Sequence, residues 1–171
     1  MTRVAKILPA GSWPVAEASD VFAADYEGRH RRRMMLALRS GARVLLELEQ
    51  ARLLADGDGL MLDDGCIIRV EALPEDLMEV TAHDPLHLLR LAWHLGNRHL
   101  PAAIEPQRIL VRHDHVIADM ITGLGGHVHR VRAAFDPESG AYAGRGAAHG
   151  HEHHHDHAHP HDHGGHAHSH D

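Results

Sequence analysis

Asp84-Pro85-Leu86-His87-Leu88-Leu89-Arg90-Leu91-Ala92-Trp93-His94-Leu95-Gly96 is the stretch that decides the fold of the second half of this chain. Aspartate accepts well from the first free N–H groups of a helix, and proline at the first helical position loses no bond. The run therefore predicts a helix starting at Pro85. Leu86, Leu88, Leu89, Leu91, Ala92, Trp93 and Leu95 crowd so much of its circumference that it is expected to be largely buried. Gly96 is expected to end it as a C-cap glycine.

Working outward, Leu77 to Val80 reads as a strand before this helix, and Ile109-Leu110-Val111 as a strand after it. Asp114 can cap a second helix in which Ile117, Met120, Ile121 and Leu124 share a face. Gly123, Gly125 and Gly126 stop it, and Val128, Val131 and Phe135 belong to a last extended segment. The order strand, helix, strands, helix, strand suits a ferredoxin-like α+β sandwich over residues 76–142.

Residues 1–75 read as strands and turns, an N-terminal all-β domain. Met34-Met35-Leu36-Ala37-Leu38, the turn at Ser40-Gly41, and Val44, Leu46 and Leu48 alternating with Leu45, Glu47 and Glu49 form one hairpin. Leu60-Met61-Leu62, Asp63-Asp64-Gly65 and Ile67-Ile68-Arg69-Val70 form a second, with Asp-Gly supplying the positive φ of its turn. Asp56-Gly57-Asp58-Gly59 begins like a calcium loop, but Leu60 and Met61 break that pattern, so it reads as a turn. The basic run Arg29 to Arg33 reads as a solvated loop or strand start.

Of the 171 residues 21 are histidine, and 12 of these lie between His149 and Asp171. That segment carries four acids and no Lys or Arg, which leaves 17 basic against 20 acidic residues and a net charge of −3 in the rest. A mildly acidic body argues against nucleic acid as a general partner, because phosphate binding leans on clustered Lys and Arg. Residues 143–171 offer almost no large apolar side chain to offset the entropy of ordering, and are expected to be disordered without metal. His149, His151, His153, His154, His155, His157, His159, His161, His163, His166, His168 and His170 form a metal-binding composition. Neutral imidazole suits zinc, copper and nickel. The tract is irregular and long, unlike the unbroken run of a purification tag.

The remaining histidines carry weaker signals. His113-Asp114-His115 would place two imidazoles on one side if extended, or be one exposed histidine beside a capping aspartate. His127-Val128-His129 has the same spacing in a predicted strand and reads as a solvent-facing edge. His99, just past the first helix, and His30, His83, His87 and His94 read as structural on spacing alone. Cys66 is the only cysteine, so no internal disulfide or thiolate zinc cage can form, and it reads as a small buried hydrophobe. The N-terminus lacks a signal-peptide pattern, and no run approaches the roughly 20 apolar residues of a membrane span. A cytoplasmic protein with no membrane contact is expected. His-Glu-x-x-His is absent from the body, as are Gly-x-Ser-x-Gly, the P-loop and Gly-x-Gly-x-x-Gly, so no enzyme is expected.

Gly96-Asn97-Arg98-His99-Leu100-Pro101, Arg112-His113-Asp114-His115-Val116 with Asp119-Met120, Phe135-Asp136-Pro137-Glu138-Ser139-Gly140-Ala141-Tyr142 and the His-rich end resemble, in order and spacing, the UreE family of urease accessory proteins. The resemblance implies a nickel metallochaperone that delivers Ni2+ to apo-urease. It implies an N-terminal domain similar to the peptide-binding domain of DnaJ-type chaperones, a ferredoxin-like C-terminal domain and a head-to-head homodimer. His99 would match the interface histidine that binds nickel once from each protomer. His113 and His115 would match a pair found in some members. A UreG-type GTPase, the other urease accessory proteins and apo-urease are the implied partners. By the Irving–Williams order an all-imidazole site also takes copper or zinc, so nickel rests on the resemblance.

A buffer acting only through its tail and an unrecognised metal-dependent hydrolase remain as other readings. Removing residues 148–171 should lower nickel stoichiometry, leave the body folded and spare one tighter site. Titration calorimetry and far-UV circular dichroism on the truncated chain check this, and an unfolded or nickel-inert body would refute it.

Overall fold

The computed structural model describes residues 2–138. The expected disorder of 143–171 and the twelve histidines from His149 onward lie outside the described residues. In chain order the elements are β1 (Val4–Leu8), β2 (Ala18–Ala24), α1 (Tyr26–Arg29), β3 (His30–Ala37), β4 (Arg43–Leu53), β5 (Gly59–Leu62), β6 (Ile67–Ala72), β7 (Pro74–Thr81), α2 (Pro85–Gly96), β8 (Ala102–Ile104), β9 (Ile109–Arg112), α3 (His115–Gly123) and β10 (His127–Ala134).

The first half is almost all β, as alternation and turn chemistry predict. β3 and β4 pair as a hairpin, and β5 and β6 pair across the Asp64-Gly65 turn, where Gly65 has φ +88°. β1 and β2 complete a sheet of order β1-β5-β6-β2. Phe22, Leu36, Leu38, Val44, Leu46, Leu54, Leu60, Leu62, Ile68 and Val70 close one core between this sheet and the hairpin. Asp58, within the expected turn, is buried. Its carboxylate accepts from the N–H groups of Ala10 and Ala55, and burial pushes its pKa up.

The second half runs strand, helix, two strands, helix, strand, with an antiparallel sheet of order β10-β7-β9-β8. Met78, Val80, Ile109 and Val111 face α2 and α3, where Leu91, Leu95, Ile117 and Ile121 meet them. The other sheet face sets Leu77 and Leu110 against Phe135, with Tyr26 of the first half packed beside them.

Three expectations need correction. α2 buries only Leu91 and Leu95 fully, and Leu86, Leu89 and Trp93 stand 57%, 67% and 66% exposed. Apolar residues cover more of this helix than one sheet can. Cys66 is exposed, because it follows the turn glycine at the lip of the β5–β6 hairpin. Arg29 is fully buried, not part of a solvated run. Its guanidinium donates to the carbonyls of Leu54 and Phe135 and pairs with Asp136 at 2.9 Å, so it bridges the two halves.

Truncating a buried ionic partner typically costs roughly 3–5 kcal/mol, because the groups it satisfied are left unpaired. Asp136 is partly exposed, so Arg29→Met is expected near the lower end, about 3 kcal/mol. Urea unfolding followed by tryptophan fluorescence measures it, and a loss under about 0.5 kcal/mol, the range of ordinary surface substitutions, would show that Arg29 bridges nothing of consequence.

Candidate functional site

α2 starts as the sequence predicts, with Asp84 accepting from the His87 N–H and Pro85 in the first turn. Its end is different. Gly96 is the last helical residue, and it does not adopt the positive φ of a C-cap glycine. The chain winds on tightly, with Arg98 N–H on Leu95 O at 3.0 Å and His99 N–H on Gly96 O at 2.9 Å. Arg98 also reaches back, donating from Nη1 to the His94 carbonyl at 3.0 Å. The left-handed residue that closes the turn is His99, at φ +55°, the one non-glycine residue with positive φ among those described. Such a conformation disfavours a β-carbon by about 1–2 kcal/mol. The imidazole that it carries is exposed.

His99 leads into Leu100 and Pro101, which line a depression of about 350 Å3 together with Asp76, Val111, Arg112, His113, Asp114 and Ile117. The structure thus brings His113 to the same depression that the residues after His99 border. Of the two readings of His113-Asp114-His115, the extended pair does not form and the exposed histidine beside a capping aspartate does. His113 follows the last residue of β9, and His115 is already the first residue of α3. Asp114 between them is the N-cap, its Oδ1 accepting from Val116 at 2.8 Å and Ile117 at 3.1 Å. His115 does not line the depression. His127 and His129 lie exposed on β10, an edge strand, as expected. Among the described residues no group of three or more His, Cys, Asp or Glu side chains stands where it could hold a metal ion without rearranging. The twelve histidines from 149 onward lie outside those residues.

What the sequence did not reveal is the uncovered face beside His99. Leu86, Leu89 and Trp93 are spaced three and four apart, so they form one stripe along α2. Ile104 on the edge strand β8 is 54% exposed and shares a second depression with Ala92, Gly96 and Leu100. Contiguous apolar surface of this kind marks an interaction site more often than chance exposure does. The signal was present in the number of apolar residues on α2, too many for one sheet face.

These features define a class: a two-domain protein, a β domain followed by an α+β domain, presenting histidines at helix and strand ends. Residues 4–73 match the family model for the N-terminal domain of UreE urease accessory protein, and residues 75–171 match that for its C-terminal domain. The chain is 51% identical to urease accessory protein UreE of Rhodopseudomonas palustris (strain HaA2) over 151 residues, 87% of this chain and 70% of that one. It is 56% identical over 125 residues to urease accessory protein UreE of Chelativorans sp. (strain BNC1), covering 73% and 79%. Against urease accessory protein UreE of Bradyrhizobium sp. (strain ORS 278) the identity is 50% over 149 residues, covering 87% and 70%. The chain belongs to the UreE family of urease accessory proteins.

If His99 holds a strained backbone for the sake of its imidazole, glycine should be more stable there. His99→Gly is expected to raise stability by about 1 kcal/mol, and His99→Ala to leave it unchanged or lower. Thermal unfolding of the two variants beside the parent chain decides it, and a destabilised His99→Gly would show that the ring itself supports the fold.

Proposed function

We propose that this protein is a nickel metallochaperone that binds Ni2+ through histidines and delivers it to apo-urease during active-site assembly. The observation that carries the reading is His99, held exposed at positive φ where α2 ends, beside an uncovered apolar stripe. A second copy of the chain is the proposed occupant of that stripe. In a twofold dimer a residue near the axis is presented twice, so Leu86, Leu89, Trp93 and Ile104 would seal the interface and two His99 imidazoles would share one ion. The β-α-β-β-α-β order supports a ferredoxin-like C-terminal domain. The division proposed is 1–75, 76–142 and a His-rich 143–171.

His113 is a further ligand candidate by its place at the neighbouring depression, and His115 a weaker one. The twelve tail histidines supply extra capacity. Imidazole sites also accept Zn2+ and Cu2+. The proposed partners are a UreG-type GTPase, the other urease accessory proteins and apo-urease, in the cytoplasm, with no catalysis of its own. No described helix is long and apolar enough to cross a membrane. The tail composition favours a second reading, a metal store in which the body is only a carrier. The two differ over whether His99 matters.

His99→Ala should remove both imidazoles of the shared ion while the dimer survives on its apolar contacts. Nickel transfer to apo-urease, measured in a tail-less background, should fall by most of its value, with smaller losses for His113→Ala and His115→Ala. Undiminished transfer by the tail-less His99→Ala dimer would leave the storage reading.

The pH dependence follows from ligand protonation. A free imidazole titrates near pH 6.5, and each one that must lose a proton weakens binding up to about tenfold per unit below that. A two-histidine site should therefore lose as much as about 100-fold per pH unit. Competition titrations with a chelator between pH 7 and 5 test this, and a flat profile would mean carboxylate ligands.

A further inference from the structure

At the other end of α2 the fold gathers three histidines that neither motif nor spacing connects. His127 opens β10 and is the Cα partner of Thr81, the last residue of β7. His83 follows Thr81 by two residues, in the turn before α2, and His87 lies in the first turn of that helix. The His83 ring is 4.8 Å from that of His127 and 6.0 Å from that of His87, centroid to centroid. We propose that His83, His87 and His127 bind a divalent transition-metal ion of the kind imidazole favours, at a site separate from His99.

The distances suit the chemistry. A ring nitrogen sits 2.0–2.1 Å from a bound ion, so two imidazoles on one tetrahedral ion have centroids about 5 Å apart. The His83–His127 pair already meets that spacing, and the His83–His87 pair is about 1 Å wider. The three side chains do not yet converge on one point, but His83 and His127 are exposed, so both rings can turn toward His87 without disturbing the core.

His87 is prepared for the role by its own bond. Its Nε2 lies 2.9 Å from the carbonyl oxygen of Leu124. A carbonyl only accepts, so Nε2 carries the proton and Nδ1 keeps its lone pair free. A histidine that ligates metal through one nitrogen commonly donates its other N–H to such a carbonyl, which sets the tautomer and the ring's orientation. The turn that carries this carbonyl lies close to α2. A Cβ on Gly126 would stand 2.7 Å from Leu91 Cδ1, so only glycine allows that approach. Asp84 Oδ1 is engaged as the helix cap through the His87 N–H, which fixes the first turn of α2 on which His87 stands. Three imidazoles leave the remaining coordination positions to water, so an ion there would exchange readily.

α2 is 12 residues long, so the cluster and His99 are separated by about 18 Å along it, too far for one ion. The test uses the full chain and nickel chloride, with histidine acylation by diethyl pyrocarbonate read peptide by peptide in a mass spectrometer. Nickel should protect His83 and His127 from acylation, equally in the parent chain and in His99→Ala. His87→Phe, and independently the edge-strand change His127→Gln, should move the protection midpoint for His83 to about 10–100-fold higher nickel, the loss typical of a disrupted ligand set. Circular dichroism of each variant reports its folding. The proposal is overturned if nickel that fully protects the tail histidines leaves His83 and His127 reactive. It is equally overturned if protection of His83 is unchanged in folded His87→Phe and His127→Gln. Protection that disappears with His99→Ala would assign the effect to the interface site. Intact protection beside normal nickel transfer in His99→Ala would sink the interface reading and leave this one standing.

Discussion

One buried guanidinium holds the two halves of this protein in register. Arg29 ends α1 with no exposed surface, and its three bonds reach the Leu54 carbonyl on one side and Phe135 and Asp136 on the other. Asp136 in turn accepts from the Asp56 N–H, and Asp56 accepts from Ala72 at the end of β6. Burying a charge without such partners would cost several kcal/mol, so the bonds are the condition for Arg29 being there at all. Its Nε alone lacks a partner among the described residues. The rest of the joint is apolar and aromatic. Tyr26 packs on Phe135 with ring centroids 5.3 Å apart, and the Arg112 guanidinium lies 5.2 Å above the Tyr26 ring.

That joint reaches the candidate site. Arg112, also paired with Glu27 of α1, is the last residue of β9 and immediately precedes His113. The first domain therefore braces the strand end that carries His113, while the helices cover the opposite sheet face. The consequence is a division of labour within one small sheet. One face anchors the β domain, the other supports α2 and α3, and His99, His113 and His127 are left exposed at helix and strand ends. A core position would protect an imidazole from solvent and from any acceptor. An end position keeps it reachable.

Most of the fold was legible in the sequence because its signals are local. Asp84-Pro85, Asp64-Gly65 and Asp114 each act within a few residues, and each does what its chemistry predicts. The failures share a cause. Which face of α2 is covered depends on a sheet built from residues before and after it, so seven apolar side chains could not reveal that Leu86, Leu89 and Trp93 are left over. Arg29 is one arginine in a basic run, and only its approach to residues 106 and 107 positions later distinguishes it. The positive φ of His99 was not legible, since glycine, not histidine, is the residue expected there. His83 and His127 meet only because β7 and β10 pair, and their register places His127 opposite Thr81.

The capping chemistry also decides which acids could serve a metal. Asp84 and Asp114 each stand beside histidines, and sequence alone would admit both as ligands. In the structure both carboxylates accept backbone N–H groups at helix starts, where they satisfy donors that have no other partner and sit favourably at the positive end of the helix dipole. Each cap uses only Oδ1, so an ion would have to be reached by Oδ2 with the cap kept in place. Asp76 and Asp114 line the depression with His113, and Cys66 lies in the other domain. Ligation chiefly by imidazole gives up the grip of thiolates. It suits a protein whose proposed task is to part with its ion, because each neutral ligand can be exchanged for one on the next carrier without separating charge.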